Sequence, residues 1–97
     1  MERGGCIYIL TNKNHTVLYT GVTSDLANRL YEHRTGIYKK SFTARYNVKK
    51  LVYFEGFTSI EEAIAREKQI KAGSRQKKLD LINRLNPDWK DLSGTIN

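Results

Sequence analysis

At 97 residues the chain is long enough for one small core, because a domain of this size buries only about two-thirds of the surface its unfolded form exposes. A content of 39% hydrophobic and 28% charged residues excludes intrinsic disorder. The single cysteine excludes an intramolecular disulfide, no apolar run approaches the roughly 18 residues of a membrane span, and the net charge of +7 makes a polyanion the first partner to consider.

The opening Met1-Glu2-Arg3-Gly4-Gly5 is not followed by an apolar stretch long enough for a secretion signal, so a reducing cytoplasm is the expected compartment. Cys6-Ile7-Tyr8-Ile9-Leu10 is apolar and too short for a helix, and reads as a strand. Asn12 to His15 is turn chemistry, and Thr16 to Thr20 reads as a second strand. A symmetric turn places Tyr8 directly opposite Tyr19, with both rings on one face. Gly21 ends the second strand, where the missing Cβ permits close approach to the backbone.

Ser24 is a suitable N-cap for a helix over residues 25–34. Leu26, Leu30 and His33 share one stripe of it, and Arg29 and His33 are neighbours one turn apart. Gly36 stops this helix, and a basic, aromatic connection runs from Ile37 to Asn47. Residues 50–57 form a third strand. Ser59 and Glu62 make a capping box for a helix to Ala72, which Gly73 ends. Its inward stripe reads Ile60, Ala63, Ile64, Glu67, Ile70, so a carboxylate falls on an apolar face. Ser74 begins a further helix with Leu79, Ile82 and Leu85 inward, ended by Asn86-Pro87, after which Trp89 folds back onto the body. The predicted fold class is α+β: one domain over residues 1–97, β-β-α-β-α-α, with a three-stranded, mostly antiparallel sheet flanked by helices.

The positive charge is clustered. Residues 36–50 carry Lys39, Lys40, Arg45, Lys49 and Lys50 with no acid, and residues 66–84 carry Arg66, Lys68, Lys71, Arg75, Lys77, Lys78 and Arg84 against Glu67 and Asp80. That pattern favours nucleic acid over a merely well-solvated surface. Lys39, Lys40, Arg45, Lys71, Arg75, Lys77 and Lys78 are the candidate nucleic-acid contacts.

Each candidate for chemistry has two readings. Tyr8 and Tyr19 suit a sheet core, and taken alone that is the better account of them. Arg29 and His33 are either a solvated arginine beside a half-buried histidine, or a guanidinium that holds phosphate oxygens next to a proton carrier. Glu67 either pairs with a basic side chain or holds a hard divalent cation, which needs only one or two protein carboxylates when water and phosphate complete its shell. There is no cysteine-rich zinc pattern, no phosphate-binding Gly-x-x-x-x-Gly-Lys loop and no Gly-x-Ser-x-Gly elbow. Cys6, inside an apolar strand, reads as an inert thiol.

Cys6-Ile7-Tyr8, Tyr19-Thr20-Gly21, Arg29 with His33, and Glu67 within Ala65 to Lys71 together resemble the GIY-YIG nuclease domain over residues 6–89. That domain occurs in the excinuclease C subunit of bacterial repair, in homing endonucleases and in small stand-alone bacterial proteins, and the chain is most similar to the stand-alone group. The resemblance implies an endonuclease that hydrolyses phosphodiester bonds in DNA, in repair or recombination, with Mg²⁺ or Mn²⁺ as cofactor. It implies Tyr8, Tyr19, Arg29, His33 and Asn86 as catalytic residues, Glu67 as the metal ligand and Gly21 as a structural glycine. The chain departs from the family pattern at Cys6, where the first motif has glycine, and at Thr20, where the second has isoleucine. The alternatives are a nucleic-acid-binding module with little or no activity, or a subunit recruited by a protein partner that supplies targeting. No membrane is implied, and the oligomeric state stays open.

Overall fold

The computed structural model describes residues 4–36 and 41–96, so Lys39 and Lys40 lie outside the described residues. Strand β1 (Gly5–Thr11) is buried along its whole length. It is the middle strand of a sheet ordered β2-β1-β3, antiparallel to β2 (Leu18–Thr23) and to β3 (Lys50–Phe57), which is why its sequence is continuously apolar rather than alternating. Helix α1 (Leu26–Thr35) and a single turn α2 (Phe42–Arg45) come between β2 and β3. Helices α3 (Ile60–Ala72) and α4 (Arg75–Leu85) follow β3, and a 3₁₀ turn at Leu92–Thr95 closes the chain. The architecture is the expected α+β domain.

The alternation of β1 sends its side chains into two cores. Cys6, Tyr8 and Leu10 pack with Leu26 and Leu30 of α1 and with Val48 and Leu51. Ile7 and Ile9 pack with Val52, Tyr53, Ala63, Ile70 and Ile82, beneath α3 and α4. Trp89 joins this second core and stacks on His15, with ring centroids 4.7 Å apart.

The hairpin register differs from the symmetric turn. Tyr8 faces Gly21, and Tyr19 faces Leu10. The loop is longer because Asn12 organises it: its Oδ1 accepts from the backbone N–H of Thr16 and Val17 at 2.8 and 3.1 Å, and His15 takes a left-handed φ of 58°. The slip amounts to two residues, which is the side-chain period of a strand, so Tyr8 and Tyr19 still share a face, with centroids 6.3 Å apart.

Other boundaries also shift: β2 spans Leu18–Thr23 rather than residues 16–20, because Asn12 holds Thr16 and Val17 in the loop, so Gly21 lies inside the strand instead of ending it. The N-cap of α1 is Asp25 rather than Ser24, because the Asp25 side chain accepts from Asn28 N–H at 3.1 Å while Thr23 Oγ1 accepts from Asp25 N–H at 3.0 Å. Ser59 caps α3 as expected, accepting from Glu62 N–H at 3.2 Å. Leu85 is 67% exposed and not part of the core. Ile82 is fully inward as expected, and the phase of α4 brings Leu81 partly inward in place of Leu85. Ile64 lies at the exposed edge of the α3 stripe.

Candidate active site

Four of the predicted site residues come from three elements that meet on the α1 face of the sheet. β1 supplies Tyr8, β2 supplies Tyr19, and successive turns of α1 supply Arg29 and His33. Tyr8 Oη lies 3.1 Å from His33 Nε2. The His33 ring also lies against Tyr19, with centroids 5.7 Å apart in an edge-on arrangement. The other imidazole nitrogen, Nδ1, lies 2.8 Å from Thr43 Oγ1, and Thr43 Oγ1 is 3.3 Å from Ser41 Oγ. A neutral imidazole has one donor and one acceptor nitrogen, so the Tyr8–His33–Thr43 chain runs in a single direction at a time.

Gly21 makes this possible. A Cβ at that position would overlap Cζ and Oη of Tyr8, so the ring occupies the space that any other residue would fill. Gly21→Ala should therefore cost about 1–3 kcal/mol through overpacking. Thermal denaturation measures that cost, and the Tyr8 phenol should be displaced from His33, as the His33 ring resonances would report.

The electrostatics follow from burial. Burial raises the pKa of Tyr8, with Tyr19 adding to the effect and Arg29 opposing it, so the phenol is protonated at neutral pH. Burial lowers the pKa of His33 below its ordinary 6.5, Arg29 pushes the same way and Glu32 opposes, so the imidazole is neutral. For Arg29, burial works against the charge, but the neighbouring Tyr8 hydroxyl and the Glu32 carboxylate outweigh it, and the guanidinium is a cation. Glu32 holds Arg29 Nε at 3.2 Å, and both side chains keep contact with solvent. Cys6 is buried beside this cluster, and desolvation pushes its thiol up to about 11, so it is not a nucleophile.

Tyr19, Arg29, Glu32, His33, Gly36 and Ser41 line an open depression of about 350 Å³. Tyr8 is fully buried beneath it. Leu18, Tyr19, Thr20, Phe42, Lys71 and Lys78 line a second depression, of about 300 Å³. Tyr19 is common to both.

Glu67 belongs to α3, on the opposite side of the sheet. Its carboxylate is 14% exposed and lies 2.8 Å from Lys71 Nζ, so it is an ion pair with a basic neighbour one turn on. Lys71 in turn lines the second depression, which shares Tyr19 with the first. Among the described residues there is no cluster of three or more His, Cys, Asp or Glu side chains. A single hard carboxylate does not suit zinc, but it suits a magnesium-type cation whose remaining positions go to water and phosphate. Lys71 is half-exposed.

Asn86, expected among the catalytic residues, does not join the cluster. It is buried at the end of α4 and its amide is engaged by backbone. Its Nδ2 donates to Val52 O at 3.1 Å and to Lys90 O at 2.9 Å, and its Oδ1 accepts from Lys90 N–H at 3.0 Å. Its work is to tie the α4 terminus to β3. The basic candidates also divide. Lys71 and Lys78 border the site. Arg75 donates to the β1–β2 loop carbonyls of His15 and Thr16. Lys77 and Lys78 line a cleft of about 360 Å³ between α3 and α4 with Arg66 and Arg84. Arg45 is exposed, its guanidinium 5.7 Å from the Tyr46 ring centre. Thr43 and Ser41, which orient His33, carried no sequence signal, because a four-residue turn is too short to show a period.

A family model described as the GIY-YIG catalytic domain matches residues 4–80. A UPF0213 protein of Syntrophus aciditrophicus is 42% identical over 82 residues, covering 84% of this chain and 92% of that one. A UPF0213 protein of Staphylococcus saprophyticus is 44% identical over 77 residues, covering 79% and 92%. The solution NMR structure of a UPF0213 protein from Bacillus halodurans is 34% identical, with a TM-score of 0.52, over 81% of this chain and 82% of that one.

Proposed function

The chain belongs to the GIY-YIG catalytic-domain family, and from that premise we propose that it is a divalent-metal-dependent endonuclease that hydrolyses phosphodiester bonds in DNA. The observation that carries this reading is the Tyr8–His33–Thr43 chain with the Arg29 cation beside it, of which Arg29 and His33 line an open depression. A structural tyrosine pair needs neither a neutral, doubly anchored imidazole nor a fixed guanidinium at its edge.

The scissile phosphate seats in the depression between Tyr19, Arg29 and His33. Arg29 turns from Glu32 to the non-bridging oxygens, where its fork matches their geometry, and this uncovers the Tyr8 hydroxyl. Tyr19, at the mouth, orients the attacking water. The water gives its proton to Tyr8 Oη as Tyr8 gives its own to His33 Nε2, and Thr43 accepts from Nδ1–H of the imidazolium that forms. The new bond joins water oxygen to phosphorus, the bond to the leaving oxygen breaks, and solvent protonates that oxygen. A Mg²⁺ or Mn²⁺ ion at Glu67 would supply Lewis-acid polarisation of the phosphate.

The test is cleavage of single-stranded, duplex and branched DNA, and of RNA, with Mg²⁺ or Mn²⁺ over a range of pH. Hydrolysis needs neutral His33, whose pKa lies below 6.5 because burial and Arg29 oppose its charge. The rate should therefore hold above 6.5 and fall about tenfold per pH unit once pH drops below the histidine's own pKa. Stability follows the same sign. Above 6.5 both folded and unfolded histidine are neutral; below it the unfolded state takes up the proton first and the fold loses stability. The Glu67–Lys71 ion pair favours a second reading, a binding module without catalysis. Salt-dependent DNA binding with no cleavage in either metal would establish that reading in place of the first.

A further inference from the structure

The aromatic ladder that leaves the site through Tyr19 has no part in the chemistry above. Phe42 stacks beside Tyr19, with centroids 6.1 Å apart and planes 26° apart. Tyr46 lies against Phe42 at 4.8 Å, and Arg45 sits 5.7 Å from the Tyr46 ring centre. The outer two rings are large apolar surfaces left in solvent, Phe42 46% and Tyr46 48% exposed. They are not surplus core: the buried residue of α2 is Thr43, which faces His33, while Phe42 and Tyr46 are left exposed. Phe42 also shares its depression with Lys71 and Lys78.

Resting on the nuclease reading, we propose that Phe42 and Tyr46 form a stacking platform for an unpaired base of the substrate strand, next to the nucleotide whose phosphate lies at Arg29. Three observations select this occupant. The exposed surface is aromatic, and any base offers a π-face to an aromatic ring. Its polar rim, Lys71, Lys78 and Arg45, is cationic, which suits a phosphate backbone and not a basic protein surface. It is continuous, through Tyr19, with the depression that holds the reacting phosphate. A base inside a duplex has both faces covered by its neighbours, so only a base that is single-stranded or displaced from the stack can use the platform. The substrate strand is therefore unpaired beside the cut.

The experiment uses a short single-stranded DNA oligonucleotide carrying 2-aminopurine, whose fluorescence is quenched by stacking, and a duplex of the same sequence, both without divalent metal. The wild-type protein should bind the single strand and quench the probe. Phe42→Leu keeps an apolar side chain against Tyr19 but removes the ring; it should weaken single-strand binding about tenfold and relieve the quench, while duplex affinity stays within about twofold. Phe42→Trp should restore both signals. Equal losses on single strand and duplex, or a leucine variant that binds and quenches like wild type, would overturn the platform. Because no step requires cleavage, failure here leaves the nuclease reading standing. A quench retained in a protein that never cuts sinks the nuclease reading alone.

Discussion

Glu67→Gln should abolish metal-dependent cleavage, by at least about a hundredfold, while leaving DNA binding intact or slightly tighter. The substitution keeps the side chain's length and removes only its charge. Two consequences separate. A neutral amide is a poor ligand for a hard divalent ion, and the loss of Lewis-acid stabilisation amounts to several kcal/mol of barrier. At the same time Lys71 loses the carboxylate 2.8 Å from its ammonium and is left free to meet phosphate at the β2 edge. A purely structural Glu67 would behave differently. Its ion pair is half-exposed on the lysine side, and breaking such a pair costs little stability. The measurements are single-turnover cleavage with Mg²⁺ and with Mn²⁺, alongside binding in a chelator. Unchanged cleavage in the variant would remove Glu67 from the site and return it to its role as the partner of Lys71.

That role was legible in the sequence only as a choice. A carboxylate on an apolar stripe must be paired or ligating, and a lysine or an arginine such as Arg29 was an open partner; the structure pairs Glu67 with Lys71 and Arg29 with Glu32. Other features divide by the range of the interaction that sets them. β1, β3, the Ser59 cap and the interruption at Gly36 are local, and they stand where the residues placed them, whereas β2 is displaced by the Asn12 loop and carries Gly21 inside it. The shared face of Tyr8 and Tyr19 survived an incorrect register because the slip was even; a slip of one residue would have separated them. What chain order could not reveal was Asn12 reaching across its loop, or Thr43 bracing His33 from a turn ten residues away. Asn86 shows the opposite limit. Its polar side chain at the end of α4 is consistent with either a site or a cap, and chain order does not show that its amide meets the carbonyls of Val52 and Lys90.

Arg29→Ala should lower cleavage by about a hundredfold to a thousandfold, the scale found when one preorganised donor to a developing oxyanion is removed. The position is exposed enough that folding should survive. The side chain is 40% exposed and its ion pair with Glu32, at 3.2 Å, is the kind of surface contact that adds little stability. Arg29→Lys is the sharper variant. It keeps the charge, so any electrostatic steering of DNA toward the +7 chain persists and binding should hardly change. It loses the planar fork, so two phosphate oxygens can no longer be held together, and most of the cleavage loss should remain. A pH profile adds a second discriminator. Arg29 is one of the causes that lower the pKa of His33, so replacing it with alanine should move the acid limb of the residual activity to higher pH, toward the ordinary 6.5. An arginine that merely decorated α1 would change neither the rate nor the limb. An arginine that only attracted DNA would be replaced by lysine without loss.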